Sequence, residues 1–301
     1  MTPFAIALVT VSAFTHAFWN LIGKRQNSSS AFFLIASAAA SAGLLPLLAY
    51  YRHALPLVPG SVWLLIVATG VFQTIYYVGL AGAYRHGDMS VAYPLVRALP
   101  SVLIAAISLA LGIGKPLSLS GVMGILAVAL GCLILPMPGL QLRLGNYLNL
   151  CCLMAVLAAI GTCGYTLVDS QALQQLRELP GLGLGNTTIT LLYLEYSTLS
   201  TTLALAVYTL LNASERARLS EVWTGGKAYA AFAGLVILGT YGLVLVAMAY
   251  ATNVSYVAAF RQLSIPLGAL LGIMVQREPW HTPKLVGIGF VLLGLVLIAL
   301  A

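Results

Sequence analysis

Two arginines stand inside otherwise apolar sequence: Arg97 in "SVAYPLVRALPSVL" and Arg261 in "SYVAAFRQLS". A guanidinium is charged at every physiological pH and presents a planar fork of donors that fits carboxylates and phosphates. At bilayer mid-depth an arginine costs about 3 kcal/mol on insertion scales, so such residues face a bundle interior or a watery cavity. The chemistry they offer is capture of an anionic group, or fixing the charge state of a partner acid. The structural alternative is a buried ion pair, or contact with carbonyls freed by Pro94, Pro100 and Pro266.

Glu195, in "LLYLEYSTLSTT", reads as the only acid well inside an apolar run, and His16 as a group able to titrate near neutral pH. Both are candidates for coupling transport to protons; each could equally be a hydrogen-bonded helix contact. Trp19 and Asn20 follow His16 by three and four residues and share its helical face. Tyr76, Tyr77, Tyr93, Tyr165, Tyr241 and Tyr256 fall at mid-run, where an aromatic face with a polar tip suits a cation or zwitterion. Tyr50, Tyr84, Tyr147 and Tyr250 fit the membrane interface instead. Gln262 joins the candidate set beside Arg261, whereas Thr74 and Thr240 are able to bond their own backbone. No metal or cofactor is expected. The four cysteines, Cys132, Cys151, Cys152 and Cys163, lie in apolar segments without partners at metal spacing.

These residues need helices to hold them. The chain has 301 residues, 60% hydrophobic and 7% charged, and a mean hydropathy of +0.98, which excludes an ordinary water-soluble domain. Apolar runs long enough to cross a bilayer as helices occupy Pro3 to Gly23, Ala31 to Tyr50, Ser61 to Tyr84, Val91 to Leu111, Leu117 to Leu135, Tyr147 to Val168, Thr187 to Leu211, Ala228 to Tyr250, Ser255 to Val275 and Lys284 to Ala301. Backbone groups in lipid must bond internally and the runs lack barrel alternation, so the expected fold is an all-α membrane protein of ten transmembrane helices. The first run lacks a basic leader and a clear cleavage site, and reads as a span rather than a signal peptide.

The net charge of +7 fits Lys and Arg decorating loops, and nucleic-acid binding is not expected. Loops after odd-numbered runs carry nine cations and those after even-numbered runs three, namely Arg52, Lys115 and Arg177. This bias would put both termini outside the cytoplasm. Proteins built of inverted halves start from near-balanced charge, so the opposite orientation stays open. Two loop features carry little chemistry. "GLGLGN" (Gly181 to Asn186) follows no strand and is no phosphate cradle; "NASERARLSEVW" (Asn212 to Trp223) predicts a short surface helix with Leu219 and Trp223 dipping inward.

The chain also repeats. "GKPLSLSGVMGILAVALG" (Gly114 to Gly131) overlies "REPWHTPKLVGIGFVLLG" (Arg277 to Gly294) at an offset of 163, aligning Gly124 with Gly287 and Gly131 with Gly294. "QTIYYVGLAGAY" (Gln73 to Tyr84) overlies "GTYGLVLVAMAY" (Gly239 to Tyr250) at 166, and "HAFWNLIGK" lies on "TCGYTLVDS", pairing Trp19 with Tyr165. The order is preserved, giving two five-helix repeats, 1–138 and 139–301. Five is odd, so the second enters the membrane inverted, a design that places a substrate site between the halves at mid-depth and alternates access to it.

The five-plus-five layout, "FWNLIGK" ending the first run, "AYPLVRALP" opening the fourth, and the G-K/E-P turn with a glycine nine residues on resemble the EamA-type drug/metabolite transporters over essentially the whole chain. That resemblance implies a cavity lined by spans one, three, four and their second-half counterparts, and export of amino acids or related metabolites. Some relatives place a coupling carboxylate in span one, eight residues before a lysine. Here His16 holds that position before Lys24, a departure from the pattern on which carboxylate coupling through span one depends.

The expected function is therefore secondary transport of a small polar metabolite bearing a carboxylate or other anionic group, an amino acid first. Protons or counter-substrate would drive it, in the cytoplasmic (inner) membrane of a bacterium, as a monomer or homodimer. The alternative is a lipid or polyprenyl-phosphate flippase of the same fold. No reactive cluster marks an enzyme, and no ring of charge marks a channel.

Overall fold

The structure is a computed structural model that describes residues 1–23, 29–86, 96–97, 99–100, 103–107, 109–110, 112, 118–134, 137, 149–265, 267 and 282–300. Every element among the described residues is helical. The α-helices are α1 (Pro3–Gly23), α2 (Ser30–Tyr50), α3 (Gly60–His86), α4 (Leu119–Ile134), α5 (Leu150–Arg177), α6 (Asn186–Leu211), α7 (Ala213–Gly225), α8 (Lys227–Met248), α9 (Val254–Phe260) and α10 (Thr282–Ala299). Four of them, α2, α3, α5 and α8, are long and apolar enough to cross a membrane, and α1, α4 and α10 contain shorter apolar stretches. The protein is a helical membrane protein.

Helix starts follow local capping chemistry. The Ser29 hydroxyl accepts from the Phe32 amide at 3.1 Å, the Asn149 side chain from the Cys152 amide at 2.9 Å, and Asn212 opens α7 by accepting from Ser214 and Glu215, each satisfying amides that a helix start leaves unbonded. Gly181 and Gly183 take left-handed φ angles of 84° and 62° in the turn between α5 and α6, a conformation that a side chain opposes.

Small residues set how closely the helices approach. A Cβ at Gly70 of α3 would lie 2.7 Å from the Ser200 carbonyl carbon of α6, and one at Gly234 of α8 would lie 2.6 Å from the Ala36 carbonyl carbon of α2. Gly234 stands 164 residues after Gly70, and Ser200 stands 164 after Ala36. Between α4 and α10, Gly124 meets the carbonyl of Gly294 and Gly131 that of Gly287, each at 2.7 Å from the absent Cβ. Backbones this close gain dispersion contacts that larger side chains would block, the usual source of helix association in lipid.

The helix bounds revise three expectations. The run placed at Tyr147 to Val168 continues as α5 to Arg177, because "DSQALQQLR" contains no Gly or Pro to stop a helix. Arg177, expected in a loop, donates from that last turn to Thr190 Oγ1 at 3.0 Å and the Leu245 carbonyl at 3.3 Å. The run expected to begin at Ser255 is α-helical over Val254–Phe260, tightens to a 3₁₀ turn over Arg261–Leu263, and is α-helical again at Ser264 and Ile265. Pro266 has no N–H to return to the carbonyl of Gln262. The surface helix predicted at Asn212 to Trp223 forms as α7, but Trp223 is exposed while Leu219 packs inward.

Candidate functional site

Helical spacing brings one stripe from each of several helices to a central cavity of about 70 Å3. From α2 come Phe33, Ala36, Ser37 and Ala40; from α8 come Gly234, Ile237, Leu238, Tyr241 and Val244. Both sets recur at i, i+3, i+4 and i+7, the pattern of a single helix face. Gln73, Tyr76 and Tyr77 of α3, Tyr165 of α5, His16 of α1, and Thr198 and Thr201 of α6 complete the wall. Arg261 closes it.

The wall is a continuous aromatic chain. Phe33 stacks on Tyr77 with ring centroids 4.4 Å apart, Tyr77 meets Tyr76 at 5.0 Å, Tyr76 meets Tyr165 edge-on at 5.9 Å, and Tyr165 meets Tyr241 edge-on at 5.6 Å. At the end of the chain the Arg261 guanidinium lies 5.8 Å from the Tyr241 ring centroid, within the range of cation–π attraction. Among the described residues no carboxylate lies within ion-pair distance of Arg261.

Beside this chamber lies a second space of about 20 Å3, lined by Tyr76, Val96, Arg97, Pro100, Thr162, Tyr165, Ala258, Arg261 and Gln262. Arg97 is buried. Arg97 and Arg261 thus border one space, and Arg261, Tyr76 and Tyr165 border both. The Gln262 side-chain amide donates to the backbone carbonyl of Arg97, tying the 3₁₀ turn to the first arginine's segment. The charges of both arginines act on the His16 imidazole.

Behind Tyr241 lies Asp169 of α5, fully buried. Its Oδ1 accepts from the Thr69 hydroxyl at 2.6 Å and the Tyr193 hydroxyl at 2.5 Å, and its Oδ2 from the Tyr241 hydroxyl. Three hydroxyl donors from three helices are what a carboxylate needs when no water reaches it. Glu195 is therefore not the only acid deep in the bundle; Asp169 stands one residue past the apolar run that ends at Val168.

The sequence-predicted residues divide. His16, Tyr76, Tyr77, Tyr165, Tyr241 and Arg261 line the central cavity, and Arg97 and Gln262 the space beside it. Tyr256 lines neither: its hydroxyl accepts from the Ser118 amide at 3.1 Å and its ring lies against Gly121, so it holds α9 to α4. Glu195 also turns away, accepting from the Ser41 hydroxyl of α2 at 2.7 Å through one oxygen. Tyr93 lies outside the described residues, as do the side chains of Trp19 and Asn20. Thr74 bonds its own helix at Gly70, whereas Thr240 lines the cavity and meets Thr15 at 3.0 Å.

Asp169, Gln73, Ser37, Thr198 and Thr201 were not expected. Thr201 donates to Gln73 at 3.2 Å across the α3–α6 contact.

No protein-family model matches the chain. No curated protein matches it either. Its fold matches 27 chains of solved structures. One of these, a protein crystal structure, superimposes with a TM-score of 0.61 over 99% of this chain and 97% of its own, at 15% identity. At that identity the likeness concerns the fold alone.

Proposed function

We propose that the protein is a secondary transporter for a small polar metabolite with an anionic group, working by alternating access in a ten-span bundle of two inverted halves. The observation that carries this reading is the placement of Arg261. It borders both internal spaces, meets no described carboxylate at ion-pair distance, and faces an aromatic wall, so its charge is available to a solute. Arg97 adds a second positive charge at the smaller space, while Asp169, the buried acid behind Tyr241 among the described residues, is already held by three hydroxyls. This balance favours an anionic group over a cationic one.

The inverted-repeat reading is supported by what lines the cavity. Ser37 and Thr201, Gln73 and Ile237, and Tyr77 and Tyr241 are three pairs of lining residues, each 164 residues apart. Arg97 and Arg261 are separated by the same 164, as are Gly70 from Gly234 and Ala36 from Ser200 at the tight helix contacts. A two-fold relation between halves predicts such pairing, because an axis through the cavity makes equivalent positions face it together. The EamA-type resemblance, an amino acid or related compound as substrate, and a bacterial inner membrane belong to this same proposal. Coupling, where protons drive the cycle, falls to His16 in the wall and Asp169 behind Tyr241 rather than to Glu195.

The test is uptake by liposomes containing the purified protein, with radiolabelled amino acids, organic acids and phosphonates, under an imposed proton gradient or with internal preload. Uptake of at least one, abolished by Arg261→Ala and by Arg97→Ala with folded yield intact, is the expected result. No uptake under any condition ends the transport reading. Transbilayer movement of a labelled lipid phosphate, without solute uptake, would establish the flippase alternative.

A further inference from the structure

Among the described residues, the half-to-half pairing leaves α7 without a helix of its own length opposite it. Where the first half joins its helices by the short turn Arg52–Leu57, the second inserts all of α7. That helix is pinned by Glu215, which is buried and accepts from Arg85 Nη2 and from the Ser30 amide, at 2.9 and 3.0 Å. Pinning it there opens a trough of about 890 Å3 between α7 and the first turns of α2 and α8.

The trough has a lipid's polarity. Its floor is Leu34, Ile35, Ala38 and Ala39 of α2, with Ala228 and Ala231 of α8, and Leu219 forms one side. Its rim carries Arg216, Lys227 and Trp223. At 1.5 Å per residue, the floor runs from about 6 to about 14 Å inward of the start of α2 at Ser30, so the cations sit at headgroup level and the apolar floor at acyl-chain level. The Lys227 ammonium lies 5.4 Å over the Trp223 ring, and Trp223 is 58% exposed, the setting of an interfacial anchor. Arg216 spends one N–H on the Leu210 carbonyl at 3.0 Å and keeps the others unspent among the described residues. Glu221, five residues on, is turned about 140° away around α7. Among the described residues the rim is positive, with no acid facing it.

We propose that this trough is a binding site for an anionic glycerophospholipid, its phosphate held between Arg216 and Lys227 and one acyl chain laid along the α2 floor. The lipid would wedge α7 against α2 and α8. The site is separate from the central cavity and shares no residue with it.

Bromine on an acyl chain quenches tryptophan only at contact. The detergent-purified full chain is titrated with brominated phosphatidylglycerol and with brominated phosphatidylcholine, and the signal missing in Trp223→Phe is assigned to the trough. With each cation contributing as basic residues do near anionic lipid, phosphatidylglycerol should bind about 30-fold more tightly. Arg216→Gln with Lys227→Gln should reduce that preference to below about 3-fold. Should the double variant fold poorly, Lys227→Gln alone, exposed at the rim, should remove about 5-fold. Arg261→Ala should keep the full preference, which separates this site from the transport reading. Equal quenching by the two lipids, a preference that survives loss of both cations, or displacement of the lipid by millimolar inorganic phosphate would each overturn the proposal.

Discussion

Tyr241→Phe isolates one bond in the centre of the protein. The substitution keeps the ring, and with it the edge-on contact to Tyr165 and the face presented to Arg261. It deletes only the hydroxyl that donates to Asp169 Oδ2. Oδ1 keeps Thr69 and Tyr193, but among the described residues Oδ2 has no second donor, and Asp169 is fully buried. Hydrogen bonds to a charged group contribute about 1.5–3 kcal/mol. The folded-to-unfolded ratio should therefore fall by a factor of about 10 to 150, a loss of roughly 3–12 °C in melting temperature for a chain of this size. No cavity forms, so no packing loss enters the sum. The assay is thermal unfolding of the detergent-purified protein, in the native and the Asp169→Asn backgrounds. With the charge removed, the same hydroxyl contributes only about 1 kcal/mol, so the cycle should show about 0.5–2 kcal/mol of coupling. A Tyr241→Phe protein that melts within about 1 °C of the native one, or an equal loss in both backgrounds, refutes the account of Asp169 as a carboxylate held by its hydroxyls.

Three other perturbations follow from the geometry. Gly234→Ala drives a methyl into the Ala36 backbone, which cannot yield as a side chain can, and should cost about 1–3 kcal/mol in a melting assay; Gly239→Ala on the same helix meets nothing within 4 Å and should be neutral or slightly stabilising, and equal behaviour of the two would contradict the packing. Glu215→Ala removes the acceptor for Ser30 and the partner of Arg85; Arg85 is 34% exposed, so solvent screens the ion pair and the backbone bond dominates, giving about 1–2 kcal/mol of destabilisation and faster proteolysis between 212 and 227, with an unchanged digestion pattern as the refuting result. Glu195→Gln keeps an acceptor for Ser41 and should leave transport and its dependence on an imposed gradient unaltered; flattened gradient dependence would return coupling to Glu195.

What the sequence makes legible is charge in the wrong solvent. Arg97 and Arg261 stand out because little else in their runs is polar, and the tyrosines because their rings recur at mid-run. Tyr256 shows the limit: hydropathy gives depth, not the face a side chain points to, and the neighbour that claims its hydroxyl, Ser118, is 138 residues away. Asp169 escapes for a different reason. It stands where hydropathy falls, so a window that measures apolar length ends the span before it, although Thr162, Tyr165, Thr166 and Asp169 already recur at i, i+3, i+4 and i+7. That periodicity is the signal that finds it. Glu215 left no such trace, since a charged residue in a polar segment looks solvated until the fold buries it.

Arg261 connects the parts that a transport cycle would have to move together. It sits at the change from α-helix to 3₁₀ turn, next to the glutamine that bonds the backbone of Arg97, and its charge reaches both His16 and Asp169. In the proposed transport cycle an anion at the guanidinium would compete with the Tyr241 ring for it, and Tyr241 is also the donor to Asp169 Oδ2. Binding would therefore alter the strength of one bond in the hydroxyl cluster joining α3, α5, α6 and α8, without touching that cluster. A ligand shifts a conformational equilibrium only by as much as it distinguishes the two states. In the proposed cycle the tyrosine is where that distinction would arise: its ring would answer to the occupied arginine, and its hydroxyl to the helices that would rearrange.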